Sequence, residues 1–165
     1  MKKLLIMRHA KSDWGSGLGD HERPLNKRGT KAAAAMGKAL AAMEEAPDLV
    51  ISSTATRAAT TARLAAEAGR WSSRITFSDD LYGTSVRGAL EVLLEADPGA
   101  ASVMLVGHEP TWSSLVQHLT GGSVVIKTAT IAAIDLYVRD WADAPGARGE
   151  LLYLLQPRSI AGLVE

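Results

Sequence analysis

Apolar positions along the chain change period several times, and the changes divide it into alternating strands and helices. Lys3–Met7 carries a short unbroken apolar run, the pattern of a strand buried on both faces of an α/β sheet. The polar stretch from Lys11 to Arg28, punctuated by Gly15, Gly17, Gly19 and Pro24, predicts a long loop. Loops of that length inside compact domains are often functional. Ala33, Met36, Leu40 and Met43 then fall on one face of a helix predicted over Thr30–Glu45, which Pro47 closes. The alternation continues with a strand over Asp48–Ser52, a helix over Thr56–Ala68 stopped by Gly69, and a strand over Arg74–Phe77. A helix over Val86–Ala96 ends at Asp97-Pro98-Gly99, and Ser102–Val106 has the aliphatic, β-branched content of another strand. Trp112, Leu115, Val116 and Leu119 recur at the spacing of an amphipathic helix. Ile131–Val138 and Glu150–Gln156 are the last strands, joined by a turn-rich segment with Pro145 and Gly146.

This order predicts a three-layer α/β sandwich, a central and mostly parallel sheet flanked by helices, with room for an antiparallel final pair. No repeat, low-complexity tract or linker interrupts the pattern, so a single domain is expected over residues 1–165. Abundant alanine and few aromatics add one detail: the helices should pack closely through small side chains. Lys plus Arg and Asp plus Glu both number 18, so no global field draws in nucleic acid or an anionic membrane, and any anion site must be local. The chain has no cysteine, which excludes disulfides and thiolate chemistry. Leu4–Met7 is too short for a signal-peptide core or a membrane span, and the expected compartment is the cytoplasm.

In open α/β sheets ligands bind at the carboxyl ends of the strands. Three predicted strand ends carry the polar residues of interest: Arg8-His9 after the first, Ser52-Ser53-Thr54-Ala55-Thr56-Arg57 after the second, and Gly107-His108 after the fourth. Two arginines and two histidines converging on one pocket suit a phosphoryl group. Guanidinium forks match its oxygens and stay charged, while a neutral imidazole between them offers a nucleophilic lone pair. A helix start after Ser53 would add backbone N–H donors. Arg23 either lies at the pocket mouth or pairs with Asp20 or Glu22 on the surface. His21 and His118 have no cluster around them that makes a metal site, and Gly15, Gly17 and Gly19 lack the lysine of a nucleotide-binding loop. No metal or cofactor is expected. Trp14, in the long loop, is a candidate to flank a substrate.

Arg8-His9-Ala10, Ser52-Ser53-Thr54-Ala55-Thr56-Arg57-Ala58 and Gly107-His108-Glu109-Pro110, in this order and each after a strand, resemble the three signatures of the histidine phosphatase, or phosphoglycerate mutase-like, superfamily. The segments Arg8–Trp14 and Asp20–Asn26 resemble its SixA branch, the phosphohistidine phosphatases. The resemblance covers essentially the whole chain. It implies that His9 is the nucleophile, that Arg8 and Arg57 clamp phosphate, and that His108 stabilises the transferring group. The implied partner is a phosphorylated protein bearing phosphohistidine, or a small phosphorylated substrate; a catalytically silent phosphoprotein-binding module is the alternative of another class. Ala10 departs from the glycine common in the superfamily, which an extended backbone would tolerate. No carboxylate is clearly placed as a proton donor; Asp13, Asp20, Asp80, Tyr82 and Glu109 are the candidates. The physiological substrate and the oligomeric state stay open.

Overall fold

The unbroken apolar run near the start becomes β1, Lys2–Arg8, in a computed structural model that describes residues 1–163. Leu4 and Ile6 point to one side of the sheet and Leu5 and Met7 to the other, all fully buried, so the strand needs covering on both faces. Four helices and five further strands supply that setting: α1 (Lys27–Ala42), β2 (Leu49–Ser53), α2 (Thr56–Gly69), β3 (Arg74–Ser78), α3 (Val86–Val92), β4 (Ser102–Gly107), α4 (Thr111–Thr120), β5 (Ile131–Leu136) and β6 (Gly149–Leu155). Met36, Leu40, Ala58 and Ala62 of α1 and α2 cover the Leu5–Met7 side; Leu90, Trp112 and Leu115 of α3 and α4 cover the other.

The strands lie in the order β3-β2-β4-β1-β5-β6. Pairings β2–β3, β2–β4 and β1–β4 are parallel, while β1–β5 and β5–β6 are antiparallel. The sheet is therefore the expected mixed, mostly parallel one, flanked by helices on both faces.

Close helix packing through small residues is most evident between α1 and α2. A Cβ built on Gly37 would stand 1.9 Å from the carbonyl oxygen of Ala65, so only glycine fits there. Gly37→Ala is expected to destabilise the fold by about 1–3 kcal/mol, the usual range for overpacking. A urea midpoint equal to that of the parent would contradict this.

Several predicted boundaries move, each for a local reason. Helix α1 starts at Lys27, not Thr30, because the Asn26 side chain accepts from Gly29 N–H at 2.8 Å and caps it three residues earlier. It ends at Ala42, where Glu44 takes a left-handed φ of 58°. Gly69 marks the end of α2, but the left-handed residue is Arg70; Gly69 is needed because a Cβ there would lie 2.4 Å from the Gly37 carbonyl oxygen. The helix expected over Val86–Ala96 divides into α3 and a 3₁₀ turn, Leu93–Glu95, and β5 ends at Leu136 instead of Val138. No helix among the described residues is long and apolar enough to cross a membrane.

Candidate active site

Sheet register brings the polar strand ends together. Arg8 pairs with Gly107 across the parallel β1–β4 ladder, so His9 and His108 leave adjacent strands side by side. His9 N–H donates to the Gly107 carbonyl at 2.9 Å. Gly107 leaves room for the Trp112 indole, which a Cβ would approach to 2.7 Å, and Trp112 Nε1 donates to the Met7 carbonyl at 2.8 Å. Next to β4, β2 ends at Ser53 and leads into α2, whose first turn carries Arg57.

Thr61 ties these pieces to each other. Its Oγ1 accepts from Ala10 N–H at 2.9 Å and donates to the Arg57 carbonyl at 2.7 Å, locking the chain after His9 to the first turn of α2. Ala10 is fully buried and is not among the residues with positive φ, so its methyl is accommodated.

The hydrogen bonds fix both imidazoles. His9 Nδ1 lies 2.8 Å from the Ala10 carbonyl, which can only accept, so Nδ1 carries the proton and Nε2 the lone pair. Arg57 Nε donates to that Nε2 at 3.3 Å. His108 Nδ1 faces Arg57 Nη2 at 3.4 Å; a guanidinium can only donate, so His108 is neutral, with its Nε2 proton directed to Ser53 Oγ at 2.8 Å. The two ring centroids are 5.2 Å apart. Burial is the main reason both are hard to protonate, with the nearby positive charges adding to it. It holds His9 at about 3, against the opposing hydrogen bond to the Ala10 carbonyl, and His108 at about 4.

Three guanidinium groups surround these rings. Arg57 Nη1 donates to the Asp20 carbonyl at 2.6 Å, and its Nη2 lies 3.2 Å from Asp20 Oδ2. Arg23 is 7 % exposed and makes the ion pair with Asp20 that the sequence offered as one of its two readings. Its Nη2 lies 3.1 Å from Asp20 Oδ1, its Nη1 donates to Ser12 Oγ, and its guanidinium carbon sits 3.6 Å from the centre of the Trp14 ring. Arg8 Nη1 donates to the Ile126 carbonyl at 3.1 Å. The Nε groups of Arg8 and Arg23 are buried without a hydrogen-bond partner among the described residues. Such orphaned, charged donors beside a neutral imidazole suit a polyatomic oxyanion.

Of the five candidate proton donors, Asp20 and Tyr82 lie against Arg57 and His108, and Glu109 is close enough to Arg8 to favour its charge. Tyr82 O–H donates to Asp20 Oδ2 at 2.5 Å and its ring stands edge-on to His108 at 5.6 Å. That hydrogen bond, with Arg57 and Arg23, holds the Asp20 carboxyl at about 2, and Asp20 in turn raises Tyr82. Glu109 is occupied at the start of α4, accepting from Ser113 N–H at 2.8 Å and Ser113 O–H at 2.6 Å. Asp13 accepts from Gly15 N–H at 2.9 Å in its own turn, and Asp80 is exposed in the 3₁₀ turn Asp79–Leu81.

Sequence reasoning gave no role to Ser12, Ser53 or Thr61. Thr61 stands one helical turn after Arg57, the only signal that would have found it. His21 also belongs to the mouth, with Nε2 3.0 Å from Thr54 Oγ1 and its ring edge-on to Tyr82 at 4.8 Å. The expected free donors at the start of α2 are partly used, since Thr56 N–H donates to the His21 carbonyl at 2.9 Å.

A model of the histidine phosphatase superfamily, branch 1, matches residues 4–84. A solved structure of a candidate phosphohistidine phosphatase SixA from Nakamurella multipartitia is 30% identical, with a TM-score of 0.83 over 94% of this chain and 96% of that one. The protein histidine phosphatase SixA complexed with tungstate gives a TM-score of 0.81 at 23% identity, over 96% of this chain and 99% of that one, a likeness of fold. An uncharacterized chloroplastic protein of Arabidopsis thaliana is 28% identical over 153 residues, 87% of this chain and 70% of that relative. The same fold recurs, at 17% identity and a TM-score of 0.67, in a mycobacterial glucosyl-3-phosphoglycerate phosphatase, over 92% of this chain and 97% of that one. The chain belongs to the histidine phosphatase superfamily and is a phosphatase.

The depressed histidines set a pH dependence of stability. Above about 6.5 His9 is neutral whether the chain is folded or not. As pH falls toward His9's folded value of about 3, the unfolded chain takes up a proton that the folded one refuses, and stability declines. His9 alone is expected to cost about 1–2 kcal/mol between pH 7 and pH 5. Urea midpoints at those two pH values, for the parent and for His9→Phe, check this; an equal acid loss in both would assign it elsewhere.

Proposed function

We propose that this phosphatase hydrolyses phosphohistidine on a protein, passing through a phosphorylated His9. The lone pair of His9 Nε2 forms a nitrogen–phosphorus bond as the bond from phosphorus to the leaving group breaks. Water then attacks the phosphorylated His9, releasing orthophosphate and restoring the neutral ring. Arg8, Arg57 and Arg23 balance the charge on the phosphoryl oxygens. His108 lies beside them and takes up a proton once a dianion raises its affinity for one.

The observation that carries the substrate class is the state of Asp20. Its oxygens are engaged by the Tyr82 hydroxyl, Arg57 and Arg23, which together hold the carboxyl well below its ordinary range. A site whose nearest carboxyl carries no proton gives little help to an alkoxide. An imidazole leaving group titrates near ~6.5 and departs already protonated. The likeness to SixA structures supports the same substrate class. The neutral His9, with its lone pair facing Arg57 and with Arg8 nearby, argues against a silent binding module.

Purified protein should release phosphate from a histidine-phosphorylated carrier protein far faster than from phosphoserine on a protein of similar size. The same preparation, tested on 4-nitrophenyl phosphate and glycerol phosphate, separates this reading from a small-molecule phosphomonoesterase. If glycerol phosphate turns over as fast as the phosphohistidine protein, the second reading holds.

A further inference from the structure

A second basic pocket lies at the same end of the sheet as His9. The antiparallel registers place it: Met7 of β1 pairs with Ile131, and Ile131 with Leu155, so the start of β5 and the end of β6 flank the carboxyl end of β1. There, together with the first turn of α1, they enclose about 290 Å³ lined by Lys11, Arg28, Lys127, Thr130, Gln156 and Arg158 among others. None of the lining residues is acidic. None of the four cations forms an ion pair among the described residues. The whole chain has no net charge, so this concentration of positive charge is local.

Four exposed cations on four separate segments, with no carboxylate in the lining, make a local concentration of positive charge that an anion would relieve. Thr130 adds an independent sign. It is fully buried, and its Oγ1 has no hydrogen-bond partner among the described residues. Buried hydroxyls are rarely left so, and this one belongs to the pocket wall. With the Gln156 amide and the Thr128 hydroxyl also in the lining, the pocket offers several donors around a compact, highly charged oxyanion.

We propose that this pocket binds a small phosphoryl anion of the diphosphate class, as a molecule separate from the substrate on His9. The chain from His9 to Lys11 runs between the two sites: His9 serves one, Lys11 lines the other, and Ala10 between them is fully buried. The pocket is nonetheless coupled to the catalytic residues through the backbone. The turn Lys127–Thr130 forms one wall, and within it Ala129 N–H bonds the carbonyls of both Arg8 and His9 at 3.1 Å. Ile126, just before this turn, supplies the carbonyl that holds the Arg8 side chain. An anion on Lys127 and Thr130 therefore stiffens the segment that positions Arg8 and His9. A compact diphosphate fits the volume of about 290 Å³.

The test reads binding, so it stands apart from the catalytic proposal. Inorganic pyrophosphate is titrated into ¹⁵N-labelled protein, and amide shifts are followed at Lys127, Thr130 and Gln156 and, separately, at His9, Gly107 and His108. The expected result is saturation at the first set, with a dissociation constant raised at least tenfold by Lys127→Ala plus Arg158→Ala while the second set titrates as before. Responses confined to the catalytic set, or pocket responses unchanged by the double substitution, would overturn the proposal. A hexaglutamate peptide that shifts the pocket amides at lower concentration than pyrophosphate would overturn the ligand class. A circular-dichroism melt of the double variant within a few degrees of the parent establishes that the comparison is made on folded protein.

Discussion

His9→Asn is expected to lower turnover of every phosphoryl substrate by about 10⁴-fold or more, since it removes the nucleophile and leaves charge stabilisation alone to act. The geometry makes the expectation specific to one atom. His9 Nδ1 is committed to the Ala10 carbonyl and cannot attack, so the bond to phosphorus must form at Nε2. Asparagine is shorter and its amide nitrogen has no available lone pair. The ring also stays neutral at every pH at which the enzyme is handled, because burial holds it at about 3. The acid limb of kcat/KM should therefore follow the second ionisation of the substrate phosphate, near ~6, and not a histidine of the free enzyme. Quenching the parent during turnover of ³²P-labelled substrate should leave acid-labile, base-stable label on a peptide containing His9, and none in the variant. Label on a serine or aspartate would move the nucleophile elsewhere. The variant should stay folded: its backbone anchors, to the Gly107 carbonyl, to Ala129 N–H and through Ala10 to Thr61, do not involve the ring.

Much of this site is legible in the sequence because strand ends in a parallel sheet are predictable places. Once Lys3–Met7 and Ser102–Val106 read as strands, Arg8-His9 and Gly107-His108 had to emerge at one edge, and the β1–β4 pairing puts them adjacent. Strand order itself was not readable. Nothing local in Leu49–Ser53 or Arg74–Ser78 says which of them touches β4, since that choice is made by packing between distant segments. Arg23 shows the same limit at the level of one side chain: its neighbours Asp20 and Glu22 fit a surface ion pair equally well. What buries it is the path of the long loop, stitched by a bridge between Ser12 and Leu25 and by the Asp13 N–H to Pro24 carbonyl bond. Thr61 and Ser53 were missed because their roles are to hold other groups, and a hydroxyl on a helix or at a strand end has many commoner uses. The arginines of the candidate site stand out in the sequence by type, whereas the residues that aim them are known only from geometry.

Asp20→Asn should leave the order of substrates intact, and that outcome bears most directly on the leaving group. A general acid must hold a proton at the working pH. With the Tyr82 hydroxyl, Arg57 and Arg23 holding its carboxyl at about 2, Asp20 is ionised at pH 7. Tyr82 is no better placed: its proton is shared with Asp20, which makes the phenol a weaker acid than usual. Alkyl phosphates then forgo the roughly 10²–10⁴-fold that a positioned acid supplies, and the rate should fall steeply along a series from aryl to alkyl leaving groups. The same steep fall is expected in Asp20→Asn and in Tyr82→Phe. Removing the Asp20 charge should act on affinity instead: the carboxylate now occupies Arg57 and Arg23, so its loss frees both for the phosphate and should lower KM for a phosphorylated substrate. Arg57→Ala serves as the contrast. It removes contacts common to all substrates and should slow all of them by about 10²–10³-fold, without changing the slope. A shallow dependence in the parent that turns steep only in Asp20→Asn would mean that the carboxyl carries a proton in the substrate complex. It would shift the protein toward the phosphomonoesterases.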